Sequence, residues 1–123
     1  MTHLPRMWRF RLAVAGRFGY HREVFKVWAA QARAEGGTAA NNPWNTTEPW
    51  PGATDYNSAG VKNYRTGSDG IRATLATLRN GHYNGMCRDY RSPGKLTARQ
   101  IVGRNRSEYG TWGTGADNIL RLL

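Results

Sequence analysis

The sequence predicts a mainly α fold, α+β at most, with one loop-rich insertion after a leading amphipathic helix. Three observations predict it. Apolar residues recur at helical spacing from residue 21 and again after residue 68. Helix signals bound those stretches: Gly36-Gly37, Asn80-Gly81 and the Thr97/Gln100 pair. Between them, residues 38–67 carry turn signals and no period.

The stretch to about residue 20 starts a helix, and Arg17-Phe18-Gly19-Tyr20 breaks it. From His21 to Ala34, Val24, Val27, Trp28 and Gln31 fall on one helical face, which Glu35 continues. Gly36-Gly37 ends that helix. Asn41-Asn42-Pro43, Pro49-Trp50-Pro51-Gly52 and Asn57-Ser58-Ala59-Gly60 read as turns, and Val61 to Tyr64 as a short strand in a small hairpin. Ser68 or Asp69 caps a helix carrying Ile71, Leu75 and Leu78, which stops at Asn80-Gly81. Thr97 with Gln100 has capping-box spacing ahead of Ile101 and Val102. The tail holds Trp112-Gly113-Thr114-Gly115 and the apolar run Ile119 to Leu123. With no internal repeat and no low-complexity linker, residues 1–123 read as a single domain.

Composition restricts the chemistry. The formal charge is +10, from 18 Lys+Arg against 8 Asp+Glu, so the protein is drawn to polyanions. The charge is spread along the chain, with some density at Arg6, Arg9, Arg11, Arg17 and Arg22. There is no polybasic tail or nucleic-acid-reading motif, which disfavours a nucleic-acid partner. Cys87 is the only cysteine, so no intrachain disulfide forms, and with only His82 nearby it reads as a core thiol rather than a nucleophile. His3, His21 and His82 lack zinc-ligand spacing, and there is no phosphate loop or dinucleotide fingerprint, so neither metal nor cofactor is expected. No stretch is long enough to span a membrane, and Leu12 to Ala15 is too short for the core of a signal peptide.

Glu35 stands out. It lies on the apolar side of its helix near Trp28, where desolvation disfavours a carboxylate. It also sits at the helix C-terminus, where the macrodipole disfavours negative charge. Stability alone selects Lys or Arg there, and a locally poor residue points to function. A carboxylic acid kept neutral is what a glycosidase needs to protonate its leaving oxygen.

The motifs around Glu35 form an ordered set. Ala34-Glu35-Gly36-Gly37 is followed by Asn41-Asn42-Pro43-Trp44-Asn45-Thr46-Thr47, then Pro51-Gly52, then Tyr56-Asn57-Ser58-Ala59-Gly60-Val61-Lys62-Asn63-Tyr64. Later come Gly70-Ile71-Arg72-Ala73-Thr74, Asn80-Gly81-His82-Tyr83 and Trp112-Gly113-Thr114-Gly115. The set, over about residues 21–115, resembles lysozyme-like peptidoglycan glycosidases of actinobacteria and their phages. Trp44 departs from it, standing where an aliphatic residue is expected. The resemblance implies a lysozyme-like helical domain that cleaves glycan strands as a muramidase, lytic transglycosylase or glucosaminidase, with Glu35 as general acid. It also implies a chain made in the cytoplasm that reaches the bacterial cell wall as an endolysin through membrane lesions, or as a virion-borne lysin. The chain would then be associated with a phage particle or belong to a longer parent protein.

Glu48 and Asp55 are the candidates for a second carboxylate. Some lysozyme-like enzymes work with one Glu, the substrate's own 6-hydroxyl or N-acetyl group doing the other job. Thr46, Thr47 and Asn57 have side chains able to position a water or hold the acetamide, or to bond their own turns. Asn42, Asn45, Trp44, Trp50, Tyr56 and Tyr64 supply polar edges and aromatic faces for sugar rings, unless the rings pack the insertion onto the helices. The competing expectation is a non-catalytic wall-binding or structural module on the same fold.

Overall fold

The element that organises the core is a 14-residue helix, α1 (Arg22–Glu35). The structure, a computed structural model, describes residues 13, 14 and 16–123. Val24, Val27, Trp28 and Gln31 are all buried, as their shared face requires. Gly36 ends the helix at φ +56°, a left-handed turn that glycine adopts without strain, and its N–H bonds the Ala32 carbonyl. Against α1 pack Phe18 and Tyr90. The Phe18, Trp28 and Tyr90 rings meet edge to face at centroid distances of 5.2–5.9 Å. The expected N-terminal helix lies partly outside the described residues; residues 13, 14 and 16–18 are helical. Arg6, Arg9 and Arg11 also lie outside them.

The insertion is a loop stapled by side chains. Asn42 is buried, its Nδ2 donating to the carbonyls of Thr46 and Lys62 while its Oδ1 accepts from Thr46 N–H. One amide thus satisfies three backbone groups that burial would otherwise strand. The hairpin is short: β1 (Thr54–Asp55) pairs antiparallel with β2 (Lys62–Asn63), Thr54 opposite Asn63. Asn57 Oδ1 closes the turn between them by accepting from the N–H groups of Ala59 and Val61.

α2 (Gly67–Leu78) follows. Its cap is Thr66, whose hydroxyl accepts from Asp69 N–H, not Ser68 or Asp69 as the sequence suggested. Thr66 is one of several adjacent residues able to cap, and the capping residue is the last to keep extended backbone. Gly70 presses on the insertion so closely that a Cβ would lie 1.9 Å from the Asn41 carbonyl oxygen.

α3 (Asn84–Arg91) has no counterpart in the sequence reading. It buries Met86, Cys87, Asp89 and Tyr90. Cys87 is a core thiol as expected, its Sγ 3.1 Å from the Leu78 carbonyl and its pKa pushed up by burial. α4 (Ala98–Arg104) carries the anticipated capping box between Thr97 and Gln100. α5 (Arg106–Trp112) ends at Gly113, φ +105°, and α6 (Ala116–Leu120) closes the chain's helices. α4 and α6 both pack on α1. No helix of the described residues is long and apolar enough to cross a membrane.

Candidate active site

Glu35 is the last residue of α1 and is partly exposed. Two segments from opposite ends of the sequence meet its carboxyl group. Asn45 Nδ2 donates to Oε2 at 2.8 Å, from a backbone held at φ +55°. That left-handed conformation is uncommon outside glycine, although asparagine tolerates it best, and such residues cluster at functional sites. From the turn between α5 and α6, the Thr114 hydroxyl donates to Oε1. Thr114 is buried and in turn accepts from Gln31 Nε2, one helical turn before Glu35 on the same face of α1. The result is a chain, Gln31 to Thr114 to Glu35, with Asn45 on the far oxygen.

This arrangement can manage a proton. The Asn45 amide N–H is directed at Oε2 and the Thr114 hydroxyl at Oε1, so each carboxyl oxygen has a donor. A threonine hydroxyl can donate to a carboxylate or rotate to accept from a carboxylic acid, so Thr114 fits both states of Glu35.

The remaining predicted residues divide by location. Asn42, Trp44, Thr46 and Tyr64 are buried. Trp44 lies in the core and its carbonyl accepts from Trp112 Nε1 at 2.8 Å. Tyr64 donates its hydroxyl to the Glu48 carbonyl at 2.7 Å, and burial pushes its pKa to about 12. Thr46 Oγ1 bonds Thr77 Oγ1, tying the insertion to α2. Sealed in this way, the Trp44 and Tyr64 rings present no face to a sugar; they pack the insertion onto the helices, the alternative role for these rings. Trp50 is half-buried, Tyr56 is 45% exposed with its hydroxyl bonded to Thr38 Oγ1, and Thr47 and Asn57 are exposed. Asn57 spends its Oδ1 on its own turn.

Of the two further carboxylates, Asp55 sits exposed on the hairpin and pairs with Lys62. Glu48 is half-buried, and its carboxylate makes no hydrogen bond or ion pair among the described residues. Neither bonds to Glu35, Asn45 or Thr114.

Two members of the Glu35 cluster were not assigned roles from sequence. Gln31 carried a signal, being a polar residue on an otherwise apolar face, which implies a buried partner. Thr114 was visible only as part of the closing Trp-Gly-Thr-Gly motif, 79 residues from the group it holds. No group of three or more metal-ligating side chains occurs among the described residues. No protein-family model, characterised protein or solved structure matches the chain.

Proposed function

We propose that this chain cleaves the glycan strand of bacterial peptidoglycan, with Glu35 protonating the leaving glycosidic oxygen. The observation that carries the reading is the hydrogen-bonded setting of Glu35, a carboxyl group at a helix C-terminus with Asn45 on one oxygen and Thr114 on the other. A surface glutamate with no task would not require a buried threonine and a left-handed asparagine to hold it. Once the carboxyl group has given up its proton, Asn45 and Thr114 both donate to the carboxylate that remains. Of the two candidates for the opposing role we favour Glu48, because Asp55 is engaged with Lys62 and the Glu48 carboxylate has no such partner among the described residues. The ordered motif set from Glu35 to Thr114 and the cationic surface both fit an acidic cell wall.

The test compares wild type with Glu35→Gln on purified actinobacterial peptidoglycan, following released reducing or anhydro-sugar ends by mass spectrometry. Wild type is expected to release glycan fragments, and the variant to lose about 10²–10⁴-fold in rate, the usual contribution of a general acid. Anhydro ends identify a transglycosylase and reducing ends a hydrolase. A wild type that sediments with the wall and releases nothing overturns the reading in favour of a binding module.

A further inference from the structure

A cavity of about 850 Å³ lies between Ala13 and Arg17, the segment from Gly37 to Pro43 and the first turn of α2. Small-molecule sites usually span about 300–1,000 Å³. Gly37 lines this cavity, and a Cβ added to it would lie 3.0 Å from Asn45 Oδ1. The Nδ2 of the same Asn45 donates to Glu35. Gly37, a lining residue of the cavity, therefore stands beside the asparagine that holds Glu35.

The lining has a definite chemistry. Ala39, Ala40, Pro43 and Ile71 give it small apolar surfaces, while Arg17 and Arg72 supply two positive charges. Neither guanidinium makes a hydrogen bond or ion pair among the described residues, and no carboxylate lines the cavity. Guanidinium groups match carboxylates in geometry as well as charge. A bare inorganic anion would satisfy the charges and leave the apolar lining unused; a short acidic peptide with small side chains satisfies both.

We infer that this cavity takes the carboxylate-bearing peptide branch carried by the glycan strand, with Arg17 and Arg72 on its carboxylate and the alanine-rich lining on its small side chains. The assignment rests on the peptidoglycan reading and deepens it. The site explains how an enzyme acting on sugar can select a strand that bears peptides, since the branch anchors on the segment next to the asparagine that holds Glu35.

Calorimetric titration with an N-acetylmuramyl dipeptide, its carboxylate either free or amidated, tests the assignment. This single-sugar probe has no inter-sugar bond to cut, so the result is independent of whether wild type cleaves strands. Wild type should bind the free acid about tenfold tighter than the amide, the scale of one charge-assisted hydrogen bond. The R17Q/R72Q double variant should bind the two alike. Both arginines are exposed and unpaired among the described residues, so the variant is expected to melt as wild type does, and R72Q alone provides a second, milder variant. Equal affinity for the two compounds, no heat from either, or a preference that survives in the double variant overturns the inference. Competition by inorganic phosphate as potent as the free acid overturns the peptide assignment as well.

Discussion

Thr114 is the residue on which the candidate site turns, because one hydroxyl serves both the Gln31 amide and the Glu35 carboxyl. Thr114→Val keeps the shape and removes the oxygen. It is expected to lower kcat by about 10- to 100-fold, the kinetic equivalent of a lost hydrogen bond to a charged group. Stability should fall by about 1–3 kcal/mol, read from urea unfolding, because buried Gln31 loses its partner. Thr114→Ser should recover most of both. Normal turnover in a destabilised Thr114→Val protein would reduce Thr114 to a structural role. At this scale the sequence singled out Glu35 and obscured its surroundings. Glu35 was legible because its position is poor for stability. Asn45 was visible as a polar loop residue, but its bond to Glu35 depends on a left-handed backbone that asparagine only permits. Asn42, Thr46 and Tyr64 belong to residue types that line sugar grooves and also staple loops, and composition cannot separate the two uses.

Helices α3 and α4 share a device that spans elements: each has its first turn capped by a carboxylate from another helix. Glu108 of α5 accepts from the N–H groups of Gly85 and Met86, and Glu23 of α1 accepts from Ala98 N–H. Exposed N–H groups and the positive end of the dipole make such sites favourable for an anion. A Cβ on Gly85 would lie 2.6 Å from Glu108 Oε2, so glycine there allows the close approach. Glu23 is held below its ordinary pKa of 4.5, first by its bond to Lys26 and next by Ala98 N–H. A depressed folded value means the carboxylate stabilises the fold above the unfolded value, and that contribution disappears as pH falls through the folded one. Glu23→Gln should therefore flatten the decline of Tm below about pH 4.5, with little change at pH 7 in that acid-dependent slope. An unaltered acid limb would mean the bond contributes nothing in solution. These long-range caps also explain what the sequence concealed. α1 and α4 were readable because period, stop and capping box are local. α3 begins with Asn84-Gly85, a turn signal by itself, and its cap stands 23 residues downstream of Gly85.

Over the described residues as a whole, charge is divided by pairing. The fold uses most of its eight acidic residues internally or in pairs: Glu23 and Glu108 cap helices, Asp55 and Asp117 pair with Lys62 and Arg106, and buried Asp89 binds Asn105 and Arg104. Among the described residues, the cationic surplus is left facing solvent. The core is correspondingly aromatic, with the Tyr90 and Tyr109 hydroxyls bonded at 2.7 Å in full burial. Burial pushes the pKa of Tyr64 up to about 12, and those of Tyr90 and Tyr109 up as well. A raised folded value gives stability that is complete below the unfolded value near 10 and is lost as pH climbs toward the folded one. Helix circular dichroism should hold to about pH 10 and collapse by about pH 12. Full helix signal at that upper limit would contradict the burial of these rings.

The distance along the chain between Glu35 and Thr114 carries a consequence in time. Translation must add 79 residues after the acid before its hydroxyl partner exists. At about 5–20 residues per second, that interval is roughly 4–16 s. Throughout it, the nascent chain presents Glu35 without the hydroxyl that bonds it. The Gln31–Thr114–Glu35 chain thus assembles only after Thr114 has been made, when the turn after α5 docks on α1.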